Sequence, residues 1–197
     1  MIYLCRHSET VWNREGRLQG HKNSELTNLG EVQARRMGEA LRREILEIED
    51  YALVASPLSR TRRTAEIICD AIGRDLQQIT FDDRLKEISW GDWEGCTKPE
   101  IEERWPGIYA KRRKNKWEFQ PPNGENYALL TRRVGEWLNE VTEMDKLIVV
   151  THGASGRAIR GLYARMTTGA AIGLEEPQDA FFLLSGGDIT KIAVALP

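Results

Sequence analysis

The chain opens with an apolar run that stops abruptly at charge: Ile2-Tyr3-Leu4-Cys5 leads straight into Arg6-His7. A run of this composition reads as a buried strand. Two later runs end in a similar way. Ala52-Leu53-Val54-Ala55 gives way to Ser56-Pro57-Leu58-Ser59-Arg60, and the run from Lys146 to Thr151 stops at His152-Gly153. Charge at the end of a buried strand belongs at the carboxyl edge of an open α/β sheet, where a crevice forms. Two strand ends that offer histidine, with arginines beside them, predict one anion-binding site assembled from distant parts of the chain.

The segments between these runs carry helical periodicity. Ala34, Met37, Leu41, Ile45 and Ile48 step by three and four, which predicts an amphipathic helix from about Asn28 to Glu49, capped by Thr27 or Asn28. A second helix is expected to start at Ser56-Pro57, with Pro57 in its first turn and Arg60 aimed at the strand ends. Arg62, Arg63 and Arg74 read as solvated. Ile79-Thr80-Phe81 fits a short edge strand, and Pro99 to about Lys114 reads as one charged helix. Leu130, Val134, Trp137, Leu138 and Val141 mark another helix. His152-Gly153 leads into a further one, and Ala180–Leu184 with Ile189–Leu196 reads as a closing hairpin. The polar stretch Glu9–Glu25 reads as a long loop over the strand ends, with Asn13, Arg17, Gln19 and His21 facing either cleft or water. Strands alternating with helices predict a mostly parallel α/β sheet covered on both faces. Gln120–Gly124 is taken as a surface loop and not a boundary, so residues 1–197 read as a single domain.

The bulk properties exclude several classes. A length of 197 residues suits one domain with a substantial core. A formal net charge of −2 gives no reason to expect nucleic acid or an anionic membrane as partner. Cys5, Cys69 and Cys96 are scattered and odd in number, without metal-ligand spacing or a disulfide framework. They read as free thiols in a reducing compartment. With no signal-peptide pattern after Met1, a cytoplasmic location is expected. No apolar run approaches the roughly 18 residues that span a bilayer. The basic run Lys111–Lys116 reads first as a solvated insert, and second as a lid whose field draws phosphorylated substrates. A nucleic-acid patch comes third, because nothing else in the chain extends it.

Phosphoryl transfer needs an in-line nucleophile, donors for the equatorial oxygens and an acid for the leaving oxygen. An unprotonated His7 supplies the first, and positive charge from Arg6 and Arg60 would keep it unprotonated. The same arginines would bind phosphate oxygens by charge-assisted hydrogen bonds. His152 and the first N–H groups of its helix can face an anion, and Asn13 adds a neutral donor.

Arg6-His7-Ser8-Glu9-Thr10 resembles the opening motif of the histidine phosphatase superfamily, the phosphoglycerate-mutase-like enzymes. The likeness continues in order through Trp12-Asn13, Gly16–Gly20, Leu26–Gly30, Ser56–Ala65, Glu87, Pro122–Glu125 and His152-Gly153. It implies a three-layer αβα fold with the site at the carboxyl ends of the strands. It also implies roles: His7 as the phosphorylated nucleophile, Arg6, Arg60 and His152 as the phosphate pocket, and Glu87 as the proton donor of the phosphatase-like branch. Asn13, Gln19 and Gly153, inside the matched motifs, complete the implied phosphate-binding set. No metal and no cofactor are implied. Two departures stand out. Ser8 replaces the usual glycine, and Ala154 stands where cofactor-dependent mutases usually carry asparagine. The second, with the short chain, favours a metal-independent phosphomonoester hydrolase acting on a small phosphorylated metabolite. A cofactor-dependent phosphoglycerate mutase and a low-turnover phospho-ligand binding protein are the alternatives. A homodimer is allowed. Specificity is expected to lie in Glu9–Glu25, Trp90–Trp117 and the chain near Glu175–Asp179.

Overall fold

A computed structural model of the chain describes residues 1–141 and 145–195. Its centre is a sheet in the order β3-β2-β4-β1-β5-β6. These strands are β1 (Ile2–Arg6), β2 (Ala52–Ala55), β3 (Ile79–Phe81), β4 (Leu147–Thr151), β5 (Ala180–Ser185) and β6 (Asp188–Ala193). β1, β2, β3 and β4 run parallel, and β5 and β6 add an antiparallel hairpin beside β1. Leu196, the end of the expected last strand, lies outside the described residues.

Strand side chains alternate between two cores, as period-two geometry requires. Tyr3, Cys5, Ile148 and Val150 pack with Met37, Leu41 and Ile68 on one face. Ile2, Leu4 and Val149 pack with Leu130, Val134 and Ile159 on the other. The first face is covered by α2 (Asn28–Glu44) and α3 (Ser59–Ile72), the second by α6 (Tyr127–Leu138) and α7 (Gly153–Tyr163). This is the expected three-layer arrangement. Among the described residues no helix is long and apolar enough to cross a membrane.

Four helices differ from the sequence reading, among them α6, which stops at Leu138, short of Val141. α2 stops at Glu44; Ile45 is extended, and a single 3-10 turn at Ile48–Asp50 carries Ile48 into the same core. A spacing of three suits that turn as well as an α-helix. α3 starts at Ser59 with Leu58 as its N-cap, so Pro57 lies outside the first turn. The expected helix over 99–114 is two, α4 (Lys98–Arg104) and α5 (Ile108–Lys114). Pro106 separates them, since proline disfavours helical geometry at the residue before it. The Glu9–Glu25 stretch also contains one short helix, α1 (Val11–Glu15), closed by a capping box between Thr10 and Asn13. The remaining short helix, α8 (Thr168–Gly173), leads towards β5.

Residues 90–119 form a smaller aromatic unit above the strand ends. Trp93, Cys96 and Ile101 are its buried centre, with Trp90, Trp105, Tyr109 and Phe119 packed around them.

Candidate active site

β1 and β4 are adjacent and in parallel register, Arg6 opposite Thr151. The residues that follow, His7 and His152, therefore emerge side by side, with ring centroids 5.3 Å apart. His7 is buried, and its Nδ1 lies 2.8 Å from the Ser8 carbonyl oxygen. A carbonyl only accepts, so Nδ1 carries the hydrogen and Nε2 keeps its lone pair. Burial lowers the His7 pKa well below its ordinary value, and the Arg60 and Arg6 charges lower it further. His152 is lowered in the same way, by burial first and then by Arg60. Its Nε2 lies 2.7 Å from Ser56 Oγ.

Arg60, in the first turn of α3, is 1% exposed. It donates to the carbonyls of Gly20 (2.7 Å) and Lys22 (3.1 Å), so the loop over the strand ends holds the guanidinium in place. Burial pushes its pKa down to about 10. Arg6 donates from Nη1 to the Glu176 carbonyl. The Nε atoms of both arginines are buried without partners among the described residues. Asn13 is oriented by its acceptor: Thr10 N and Gln178 Nε2 both donate to its Oδ1 at 3.1 Å. Asn13 itself lines the cavity described below.

Glu87 sits against the N-terminus of α7. Its Oε1 accepts from Ile88 N (3.0 Å), Ala154 N (3.1 Å) and Ser155 N (3.2 Å), and Oε2 from Ala154 N at 3.3 Å. The anion that these helix N–H groups face is this carboxylate. Ser8 lies at negative φ, its N–H donating to Thr64 Oγ1 at 3.2 Å, so the position does not require glycine.

His7, Arg6, Arg60, Asn13, Gln19 and Glu87 line one cavity of about 250 Å³. His152 and Gly153 lie beside it, on a small void of about 20 Å³. A Cβ on Gly153 would stand 2.6 Å from the Glu176 carboxylate, so glycine is what admits that side chain. Gln19 is buried, and its Oε1 has no partner among the described residues. A larger cavity of about 550 Å³ lies around Met1, Leu138, Tyr163 and Gly187, remote from both histidines. Among the described residues no cluster of three His, Cys, Asp or Glu could hold a metal ion.

Several wall residues were not singled out from the sequence. Arg112 and Lys116 of the basic run line the cavity, and Arg112 is 6% exposed with its guanidinium 4.2 Å over the Trp90 ring. The run is therefore not merely a solvated insert. Arg157, Glu176 and Tyr127 also line the cavity. Gln178 donates to the His7 carbonyl at 3.2 Å, and Ser56 supports His152. His21, read as a loop residue, has its Nε2 2.8 Å from the Glu87 carbonyl.

Comparison with known proteins agrees with this geometry. Residues 2–176 match the family model described as histidine phosphatase superfamily (branch 1). The "Probable phosphoglycerate mutase GpmB" of Citrobacter koseri is 41% identical over 158 residues, covering 77% of this chain and 69% of that protein. Bacillus stearothermophilus YhfR superposes with a TM-score of 0.79 at 28% identity, covering 98% of this chain and 95% of that one. The alpha-ribazole phosphatase from Shigella flexneri, at 20% identity, shares the fold with a TM-score of 0.78, covering 98% and 95%. The sequence motifs, the layered fold and the histidine pair at the strand ends thus converge, and the chain belongs to the histidine phosphatase superfamily, branch 1.

Proposed function

We propose that this protein is a metal-independent phosphomonoester hydrolase that works through a phosphohistidine on His7. The observation that carries this reading is the His7–Ser8 hydrogen bond. It leaves Nε2 with a lone pair in a cavity whose wall includes the Arg6 and Arg60 guanidinium groups. A dianionic phosphate fits that charge.

Nε2 attacks phosphorus, and the bond to the ester oxygen breaks. Arg6, Arg60 and the Asn13 amide stabilise the equatorial oxygens. His152 helps hold the phosphate from its position beside His7. Glu87 gives the leaving oxygen its proton. Oε2, with one long backbone contact against three on Oε1, is the oxygen suited to carry that proton. Water then attacks the phosphohistidine, Glu87 takes back a proton, and the P–N bond breaks to release inorganic phosphate.

The name of the GpmB relatives favours a second reading, a mutase that returns the phosphoryl group to substrate. One experiment separates the two. The protein is supplied with 3-phosphoglycerate and catalytic 2,3-bisphosphoglycerate, with chelator present throughout. Phosphate release without rapid isomerisation is expected, together with an acid-labile, base-stable adduct that disappears in His7→Ala. Isomerisation well above hydrolysis would establish the mutase. Full activity in His7→Ala, or loss of activity on chelation, would refute the mechanism.

A further inference from the structure

The segment between α8 and β5 brings Glu176 to the cavity wall, beside Arg6 and Arg157. Its carbonyl accepts from Arg6, and its Oε1 is paired with Arg157 Nη1. Arg157 is itself tied down, donating from Nε to the Leu174 carbonyl and from Nη1 to Tyr127 Oη at 3.5 Å. The other carboxylate oxygen, Oε2, accepts no hydrogen bond among the described residues and is not fully enclosed; it lies on the Gly153 side, 2.6 Å from where a Cβ on Gly153 would stand. Burial pushes the Glu176 pKa up, against the pull of Arg6. A carboxylate oxygen that loses its water when the cavity fills is costly to leave unless something else donates to it.

The phosphoryl group is not that donor. Its oxygens are acceptors, and two anions facing each other repel. In the occupied cavity the group able to satisfy Oε2 is then the remainder of the substrate, the alcohol part that leaves. Apolar alcohols offer nothing to it. An alcohol carrying a further O–H or N–H donor satisfies it with a charge-assisted hydrogen bond.

Resting on the phosphomonoesterase reading, we propose that Glu176 is a specificity-determining residue: its Oε2 accepts a hydrogen bond from an O–H or N–H on the leaving group. The preferred substrates are then phosphate esters of polyols or amino alcohols.

The test compares kcat/KM within two matched pairs. Glycerol 3-phosphate against propyl phosphate reads a hydroxyl donor; O-phosphoethanolamine against ethyl phosphate reads an ammonium donor. The wild-type protein should favour the donor-bearing member of at least one pair by about tenfold to a hundredfold. Glu176→Met keeps bulk, removes the acceptor and should bring that ratio close to one while aryl phosphate is still hydrolysed. Glu176→Gln separates the sources, since an amide oxygen still serves a hydroxyl but offers an ammonium no charge. A wild-type ratio near one in both pairs overturns the proposal. So does an equal loss on both members of a pair in Glu176→Met, which would mean that the side chain only holds Arg157. If Glu176→Met does not fold, the wild-type ratios decide the hydroxyl arm and Glu176→Gln the ammonium arm. Failure to hydrolyse any of the four esters or an aryl phosphate would instead remove the phosphatase reading, and equilibrium binding of the same pairs would then decide on Glu176.

Discussion

The two buried histidines make stability depend on pH in a calculable way. His7 and His152 both have pKa values well below the ordinary 6.5, chiefly through burial and then through Arg60. Above pH 6.5 both the folded and the unfolded chain hold these rings neutral, so pH has no hold on stability through them. Below 6.5 the unfolded chain takes up a proton on each ring and the folded chain refuses it. Stability therefore falls as pH falls, until the depressed folded pKa is reached. Between pH 7.5 and 5.5 the loss is about 1.4 kcal/mol per ring, about 2.7 kcal/mol for the pair. Urea unfolding at the two pH values, in buffers free of phosphate, measures it. Carboxylates elsewhere also titrate, so the informative quantity is a difference. His7→Gln should lose about 1.4 kcal/mol less than the wild type over this interval, and His152→Gln likewise. His21, exposed on its loop, is common to all three proteins and cancels. A pH dependence in either variant parallel to the wild type would refute the reasoning, because it would mean that the folded site accepts the proton.

Two further outcomes are expected. Glu87→Gln should slow phosphoenzyme formation about 10²–10⁴-fold on alkyl phosphates and much less on para-nitrophenyl phosphate, whose leaving group needs no proton; equal single-turnover losses on both would remove Glu87 as the acid. Gly91 lies at φ +55°, and a Cβ there would stand 2.0 Å from the Pro122 carbonyl oxygen, so Gly91→Ala should destabilise the protein by about 2–5 kcal/mol in urea unfolding, and a change below about 1 kcal/mol would contradict the packing described.

The sheet and the histidine pair were legible because each strand carries its own boundary. An apolar run that stops at Arg6-His7 or His152 states both where the strand lies and which end faces the site. The parallel neighbours then follow from chain order. Supporting residues were harder to see, because they act through register. Ala55 lies opposite Val150, so Ser56 reaches the level where β4 ends, and only that pairing brings it to His152. β5 runs antiparallel to β1, so residues just before Ala180 necessarily arrive at the edge where His7 emerges. The stretch 175–179 was identified on the chain, but the sequence does not say that Glu176 and Gln178 turn inward. Arg112 had a readable signal: it stands one helical turn beyond Ile108, which packs in the aromatic unit, so both share a face. The charge of the whole run masked it.

Trp90 is the apolar residue shared between the core beneath α6 and α7 and the core of the aromatic unit. It also stacks on Trp93 and carries the Arg112 guanidinium on its face. Arg6 and the two histidines are placed by β1 and β4, while Arg112 stands on α5 in a separately packed aromatic unit that meets the main core at this indole. Side-chain changes that share no partners add independently in free energy. Substitutions within that unit can thus alter the Arg112 side of the cavity and leave the histidine pair in place.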